Sequence, residues 1–251
     1  MTGQSGRSDF ELIYGVNPVK EALRSGRVKE LYISENRKKG LEELFEICKK
    51  RAITVKTMEE NFFSTRFPKG HQAVAALVRK KRFLDTGELL LKVKDKDSSI
   101  ILILDEIEDP RNLGAILRVA DAGGADGIII QKYRQAGISS EVIKSSAGAY
   151  EYVDIAEESN IKYAINSLKE EGFTIIGAEA TGEKSLWDTD MRGRIGIVIG
   201  SEGRGLRKTV LRMCDETVFI PMMGNVNSLN VSVACGIIIF EAIRQRQFRA
   251  I

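Results

Sequence analysis

The stretch Ile100–Gln131, IILILDEIEDPRNLGAILRVADAGGADGIIIQ, decides the fold of this 251-residue chain. Its first residues, 100–104, form a continuous apolar run, which is typical of a strand buried on both faces of a parallel sheet. A helix is predicted over 111–122, and a second apolar strand is predicted over 127–131. Because neighbouring parallel strands need a crossover connection, this order predicts a right-handed β-α-β unit.

The alternation of strands and helices continues to the end of the chain. Further strands are predicted over 152–156, 173–178, 195–199 and 216–220, and further helices over 139–147, 160–171, 206–213 and 228–247. Repeated β-α units predict an α/β domain with a mostly parallel sheet. We assign residues 100–251 to this domain.

A smaller α/β unit is predicted upstream, over residues 11–80. Its predicted elements are a helix capped by Asn17 and ending near Arg24, a strand over 28–33, a helical stripe from Leu41 to Cys48, and strands over 53–57 and 73–78. Residues 1–10 are polar and are predicted to form a loose tail. Residues 81–99 begin with basic side chains and continue without periodicity, which predicts a linker.

Charge is unevenly distributed between the two predicted units. The whole chain carries a net charge of +3, whereas residues 11–99 carry +7 and residues 100–251 carry −4. A basic unit joined to a mildly acidic one is typical of a nucleic-acid-binding domain tethered to a second activity. A solvated basic surface without a ligand gives the same pattern, so charge alone does not decide between them.

Composition excludes several classes of protein. The longest apolar stretch, Val233–Phe240, is too short to span a bilayer, and the first residues lack the apolar segment of a signal peptide. Cys48, Cys214 and Cys235 form no CxxC pair, which argues against a disulfide scaffold and a cysteine-built zinc site. We expect a cytoplasmic protein without a membrane or metal partner, in which His71, the single histidine, is structural.

Three unusual segments follow predicted strands, at the edge of the sheet where α/β domains bind ligands. The first carries Asn112 and Arg118, which taken alone suit a helix cap and a surface arginine. The second, 200–206, is glycine-rich and carries Glu202, but its G-x-x-G-x-G spacing is not the dinucleotide fingerprint. The third, 220–234, has more polar side chains around a helix start than one cap requires.

Together, these segments resemble the signature motifs of the SpoU (TrmH-type) branch of the SPOUT RNA methyltransferases. The matching stretches are DPRNLGAILRVADAGGADGI from Asp109, VIGSEGRGL from Val198 and IPMMGNVNSLNVSVACGIIIFEA from Ile220. In the first unit, IYGVNPVKEAL from Ile13 and GHQAVAA from Gly70 are similar to the L30e-like domain of ribosomal RNA ribose methyltransferases. The resemblance is strongest to enzymes that methylate a guanosine ribose in bacterial large-subunit (23S) rRNA.

The resemblance implies transfer of a methyl group from S-adenosylmethionine to a ribose 2′-hydroxyl. It further implies a homodimer whose catalytic domain is tied in a C-terminal trefoil knot. The residues implied to hold the cofactor are Ala178, Gly200, Glu202, Gly203, Ile220, Met222 and Leu229. The residues implied to form the catalytic site are Asn112, Arg118, Glu202, Ser228 and Asn230. Because a guanidinium is permanently protonated, we expect Arg118 to bind the target phosphate and to stabilise the developing alkoxide rather than to act as a base.

The basic first unit is then expected to recruit rRNA. The residues expected to contact phosphates are Arg37, Lys38, Lys39, Arg79, Lys80, Lys81 and Arg82. Alternatives remain open at this point: methylation of a tRNA ribose, methylation of another rRNA nucleotide, or an RNA-binding or ribosome-assembly protein without catalytic activity. A Rossmann-type methyltransferase is disfavoured, because the catalytic unit lacks a glycine-rich loop after its first strand.

Overall fold

The computed structural model describes residues 9–37, 39–225 and 228–247. The helices are α1 (Val16–Ser25), α2 (Glu42–Lys50), α3 (Glu60–Arg66), α4 (Thr86–Lys92), α5 (Pro110–Ala122), α6 (Ser140–Ser145), α7 (Ile161–Glu170), α8 (Lys208–Leu211) and α9 (Val231–Gln247). The strands are β1 (Phe10–Tyr14), β2 (Val28–Ser34), β3 (Thr54–Met58), β4 (Val74–Arg79), β5 (Ser99–Asp105), β6 (Gly127–Gln131), β7 (Ile155–Glu158), β8 (Thr174–Ala178), β9 (Lys184–Ser185), β10 (Arg194–Gly200) and β11 (Glu216–Phe219). Most of the predicted tail, 1–10, lies outside the described residues.

The chain forms two compact units. The first comprises the residues up to Arg82 together with Ser140–Glu151, and the second comprises Phe83–Ser139 with the residues from Tyr152 onward. The predicted C-terminal domain, 100–251, included residues 140–151, and that part of the prediction is wrong, because Ser140–Glu151 belongs to the first unit. The carboxylate of Glu151 is 1% exposed and accepts from Arg27 Nη2 at 2.7 Å. Because an unpaired buried charge is costly, this ion pair holds the segment in the first unit.

In the first unit, the described strands form a sheet in the order β1-β4-β2-β3. β4 pairs antiparallel with β1 and β2, and β2 pairs parallel with β3. Tyr14, Phe63 and Phe67 form an aromatic cluster in its core. The sequence analysis missed β1 and α3. Asn17 was predicted to cap α1, but the N-cap is Gly15. Its φ of 95° is a backbone conformation that glycine adopts readily and other residues rarely adopt.

In the second unit, the described strands form a sheet in the order β7-β6-β5-β10-β8-β11-β9, and every neighbouring pair is parallel. The predicted α/β fold class with a mostly parallel sheet is confirmed. Leu89 of α4 and Leu168 of α7 pack with Ile101 and Ile175 of the sheet. Helix α5 packs closely on α9, where a Cβ at Gly123 would lie only 2.2 Å from Ile239 Cγ2.

The segment predicted as a linker, 81–99, instead contains α4. Asp85 accepts from the Glu88 backbone N–H at 2.8 Å and Glu88 accepts from the Asp85 N–H at 3.1 Å, so the two form a capping box. Leu89 of this helix is fully buried, and Leu84 forms a β-bridge to Ala156. The acidic cap followed three residues later by glutamate was the signal that the sequence analysis overlooked.

Because the strands of the second unit are parallel, the carboxyl ends of β5, β6, β8, β10 and β11 meet at one edge of the sheet. The three unusual segments of the sequence follow β5, β10 and β11, so all three start at this edge. Across the part of the chain that the structure describes, no helix is long and apolar enough to cross a membrane.

Candidate active site

The glycine-rich segment after β10 forms a tight hairpin. The Ser201 N–H donates to the Gly205 carbonyl at 3.2 Å, and the Gly205 N–H donates back at 3.0 Å. A Cβ at Gly200 would lie 2.3 Å from the Gly205 carbonyl carbon, and Gly203 adopts a φ of 80°. The hairpin therefore requires glycine for close backbone approach at one position and for a left-handed conformation at another.

A cavity of about 260 Å³ lies at the carboxyl ends of β8, β10 and β11. All the residues that the sequence analysis implied for the cofactor line it: Ala178, Gly200, Glu202, Gly203, Ile220, Met222 and Leu229. Apolar side chains, among them Ile199, Val218 and Ile238, complete the lining. Val226 and Asn227, which belong to the third motif, lie outside the described residues.

Three polar side chains from three separate motifs form a chain of hydrogen bonds beside this cavity. Asn112 Nδ2 donates to Glu202 Oε2 at 2.9 Å, and Asn230 Nδ2 donates to Asn112 Oδ1 at 3.0 Å. Asn230 Oδ1 accepts from the Ser232 hydroxyl at 2.6 Å. Ser228 lines the cavity next to this chain. The structure thus brings together four of the five residues implied to be catalytic.

Arg118 is the exception. It lies six residues after Asn112 on α5, about 240° further around the helix at 100° per residue, and its side chain is exposed. It does not line the cavity, and among the described residues it has no ion-pair partner. An exposed, unpaired guanidinium is available to an external phosphate, but this chain alone does not bring it to the cavity.

A buried ionic network that was not predicted from the sequence lies at the ends of β5 and β6. Asp105, the last residue of β5, is 1% exposed and accepts from Arg207 Nε at 2.7 Å and from Gln131 Nε2 at 3.2 Å. Gln131 Oε1 accepts from Arg207 Nη2 at 3.2 Å. Arg207 follows the glycine hairpin directly, so the network ties the hairpin to β5 and β6. An acidic residue ending a buried apolar strand was the available signal.

The environment of the thiols near the site favours their protonated form. Burial raises the pKa of Cys214 to about 12, and it raises the pKa of Cys235 to about 12 as well. Because the thiolate is the nucleophilic form of cysteine, neither residue supplies a nucleophile at neutral pH. No cluster of three His, Cys, Asp or Glu side chains that could hold a metal ion occurs among the described residues.

The basic residues of the first unit divide into exposed and engaged side chains. Arg79 and Lys80 are exposed, whereas Lys81 Nζ donates to the Tyr150 carbonyl at 2.8 Å and to the Glu151 carbonyl at 3.2 Å. Lys81, which the sequence analysis grouped with the phosphate contacts, therefore has a structural role. Lys38 lies outside the described residues.

His71 is also structural. Its Nδ1 accepts from the Ala73 N–H at 3.0 Å, and its ring stacks on Phe63 with centroids 5.8 Å apart. Both contacts lie within the first unit. The expectation for the single histidine therefore agrees with its contacts.

The fold and the cavity define an α/β protein with a cavity at the carboxyl edge of a parallel sheet, the edge at which such folds bind small ligands. Residues 99–240 match the model of the SpoU rRNA Methylase family, and the chain belongs to this family. Residues 12–84 match a second family, RNA 2′-O ribose methyltransferase substrate binding. The predicted family and the predicted class of enzyme, an RNA methyltransferase, are confirmed.

A protein of Staphylococcus haemolyticus assigned to the TrmH family of tRNA/rRNA methyltransferases is 38% identical over 238 residues, which cover 94% of this chain and 96% of that protein. The S-adenosylmethionine complex of the SpoU methyltransferase AviRb from Streptomyces viridochromogenes superimposes with a TM-score of 0.80 at 24% identity, over 97% of this chain and 94% of that one. An S-adenosylmethionine-bound rRNA methyltransferase from Sinorhizobium meliloti gives 0.77 at 25% identity, over 96% and 89%. The TrmH/SpoU tRNA-modifying enzyme of A. aeolicus gives 0.54 at 28% identity and covers only 64% of this chain and 84% of its own.

Proposed function

We propose that this chain transfers the methyl group of S-adenosylmethionine to the 2′-hydroxyl of a guanosine ribose in large-subunit rRNA, as an enzyme of the RlmB type. The observation that carries the proposal is the hydrogen-bonded chain of Glu202, Asn112 and Asn230, which joins three distant motifs beside one cavity. A protein that used this fold only as an RNA-binding scaffold would have no need of these polar residues.

S-adenosylmethionine is the methyl donor, and the lining of the cavity fits it. Its volume of about 260 Å³ is just below the ~300–1,000 Å³ of small-ligand sites. The hairpin backbone from Gly200 to Gly205 offers polar groups to an adenosine, and Ile220 and Leu229 offer apolar contact. When bound, the cofactor supplies an electrophilic methyl group on a cationic sulfur. The carboxylate of Glu202 favours a cationic ligand in this cavity.

The polar residues then orient the ribose and the hairpin. Asn112 fixes the orientation of the Glu202 carboxylate, and Asn230 fixes that of Asn112. Ser228 offers a hydroxyl at the lining of the cavity. This chain does not bring Arg118 to its own cavity, so we assign that residue's role to Arg118 of a second copy in the homodimer proposed below, where it would bind the phosphate of the target nucleotide and stabilise the alkoxide that develops on the 2′-oxygen. Alignment of this kind accounts for much of the catalysis when the methyl donor is already reactive.

The share of this chain that aligns with solved structures supports rRNA rather than tRNA as the substrate. The S. meliloti rRNA methyltransferase aligns over 96% of this chain, whereas the A. aeolicus tRNA-modifying enzyme aligns over 64%. The first unit, which matches the substrate-binding family over 12–84, supplies the additional RNA contacts. Within this unit, Lys39, Arg79, Lys80 and Arg82 are exposed, and we assign phosphate contacts to the adjacent pair Arg79 and Lys80. The free state of all three cysteines suits the reducing cytoplasm in which rRNA is modified.

We also propose a homodimer. Val233 and Phe240 on α9 are each about half exposed, at 50% and 51%, and Ile237 lies between them at helical spacing. An exposed apolar stripe of this kind marks an interaction surface. Sedimentation is expected to give twice the 27.9 kDa mass of the chain. Phe240→Asp is expected to give the monomer, and a monomeric wild type would refute this assembly.

The test is methyl transfer from labelled S-adenosylmethionine to purified rRNA and tRNA, followed by mapping of the 2′-O-methylated nucleotide. We expect label at one guanosine of large-subunit rRNA and its loss in Arg118→Ala. Label in tRNA would assign the enzyme to tRNA modification. Absence of both methyl transfer and cofactor binding by calorimetry would favour an RNA-binding protein without catalysis.

A further inference from the structure

An exposed aromatic residue lies between two cations directly after β6. Tyr133 is 64% exposed, and Lys132 Nζ lies 5.9 Å from the centroid of its ring. Arg134 is exposed too, and neither cation has an ion-pair partner among the residues that the structure describes. Single exposed aromatic residues are ordinary, but a ring between two unpaired cations is the combination that binds single-stranded nucleic acid.

The backbone around this tripeptide is anchored at both ends. The Lys132 N–H donates to the Glu158 carbonyl at 2.9 Å, and the Ala136 N–H donates to the Ile107 carbonyl at 2.8 Å. The residue before the tripeptide, Gln131, belongs to the buried network with Asp105 and Arg207. These contacts fix the backbone of the tripeptide relative to the turn that leads into α5 and Asn112, so the position from which the ring projects is set.

The position of the tripeptide is as informative as its composition. It follows the carboxyl end of β6, and the cavity lies at the carboxyl ends of β8, β10 and β11, which share the same sheet edge. Only β5 separates β6 from β10, so the two strands are about 10 Å apart at ~4.8 Å per strand. A short stretch of RNA whose target ribose lies at the cavity can therefore reach Tyr133.

We propose that Tyr133 stacks on a base flanking the target ribose, and that Lys132 and Arg134 contact the phosphates on either side of that base. The inference rests on the proposed function, since it concerns the same RNA. Aromatic stacking combined with cations is the usual way in which proteins hold unpaired nucleotides of folded RNA. The tripeptide is thus a second RNA contact, built on the catalytic unit itself.

A series at one position tests the stacking. Tyr133→Phe keeps the ring, Tyr133→Leu keeps an apolar side chain without a ring, and Tyr133→Ala removes both. With the full chain and transcribed large-subunit rRNA, we expect Phe to behave as wild type, while Leu and Ala raise KM and the Kd for rRNA roughly 5- to 150-fold. The kcat and the affinity for S-adenosylmethionine are expected to stay within about twofold, because the ring does not touch the reacting atoms.

The charges are tested by salt titration of rRNA binding. Arg134→Ala is expected to reduce the slope of log Kd against log salt by about 0.7–0.9, the contribution of one phosphate contact. Lys94→Ala is the matched control, because Lys94 is an exposed cation that precedes the amino end of β5, at the opposite edge of the sheet. It is expected to leave the slope unchanged.

The outcomes separate this inference from the proposed function. If wild type methylates rRNA and Tyr133→Leu binds and methylates equally well, the stacking is refuted and the proposed function stands. If wild type methylates no rRNA but the Leu variant still loses rRNA binding, the proposed function is refuted and the stacking stands. Equal slopes for Arg134→Ala and wild type would overturn the phosphate contact.

Discussion

Asn112 donates a hydrogen bond to Glu202 at 2.9 Å across 90 residues of sequence. Asn112 is buried, and its carbonyl oxygen accepts from Asn230 at 3.0 Å. An amide donates and accepts at once, whereas an ionised carboxylate only accepts. Asparagine is therefore the residue type that can join a carboxylate on one side to a second amide on the other.

Asn112→Asp is expected to abolish methyl transfer and to destabilise the protein in a pH-dependent way. The added carboxyl would face Glu202, and both burial and the like charge would raise its pKa in the folded state. Below about pH 4, the pKa of aspartate in the unfolded chain, the new carboxyl is protonated in both states and does not change stability. As the pH rises above this value, the loss of stability grows. At pH 8 we expect a loss of about 1–2 kcal/mol in the free energy of unfolding, measured by denaturant titration against wild type.

The matched control is Asn61→Asp, which makes the same chemical change at an exposed position on α3. It is expected to leave both stability and methyl transfer unchanged across the pH range. If the Asn112→Asp variant were as stable as wild type at pH 8, the hydrogen bonds that join Glu202, Asn112 and Asn230 would be contradicted.

Gly200→Ala is expected to disrupt the hairpin and with it cofactor binding. The added Cβ would lie 2.3 Å from the backbone of Gly205, which cannot rotate away as a side chain can. We expect a loss of about 1–3 kcal/mol in unfolding free energy and no measurable binding of S-adenosylmethionine by calorimetry. Gly137→Ala is the control, because nothing lies within 4 Å of its Cβ position. Equal cofactor affinity in both variants would exclude a constrained hairpin.

The sequence was informative where a pattern repeats and uninformative where a contact crosses the chain. The apolar run 100–104 and the helix after it predicted the parallel sheet. A strand that is covered on both faces must be almost entirely apolar, so its sequence is easy to recognise. The position of 140–151 was missed, because it depends on the ion pair between Arg27 and Glu151, which lie 124 residues apart. No local periodicity encodes such a pair.

The candidate site divides in the same way. Gly200 and Glu202 could be predicted from the motif, and both line the cavity. The position of Asp105 at the end of a buried strand indicated burial, but its pairing with Arg207 could not be predicted, because the two residues lie 102 positions apart. The exposure of Arg118 follows from its position on α5: the predicted helix over 111–122 already places Arg118 about 240° around the helix from the buried Asn112.

Ala73→Gly is expected to stabilise the first unit. Ala73 adopts a φ of 53°, a left-handed conformation that costs a residue with a Cβ roughly 1–2 kcal/mol. The greater freedom of glycine in the unfolded chain offsets part of this gain, so the free energy of unfolding should rise by about 0.5–1 kcal/mol. Ala75→Gly, in the buried strand β4, should lower it. Denaturant titration of both variants checks the opposite signs.

The thiols are expected to resist modification until the protein unfolds. Burial raises the pKa of Cys214 and of Cys235 to about 12, and it raises that of Cys48 as well. At pH 8 the thiolate fraction of the first two is therefore below about 0.1%. We expect no reaction of native protein with a thiol-specific chromophore at pH 8, and reaction of all three cysteines in denaturant. Rapid native labelling of Cys235, which is fully buried, would contradict this expectation.

Charge reversal in the first unit should separate RNA contacts from structural lysines. Arg79 and Lys80 are exposed, so Arg79→Glu with Lys80→Glu should weaken rRNA binding and reduce its salt slope by about 2, with little loss of stability. Lys81 donates to the carbonyls of Tyr150 and Glu151, so Lys81→Glu should lower the thermal midpoint instead. Filter binding across a salt series and thermal unfolding of the same variants measure both effects. An unchanged slope in the double variant would mean that these exposed cations are solvated and that rRNA binds the first unit elsewhere.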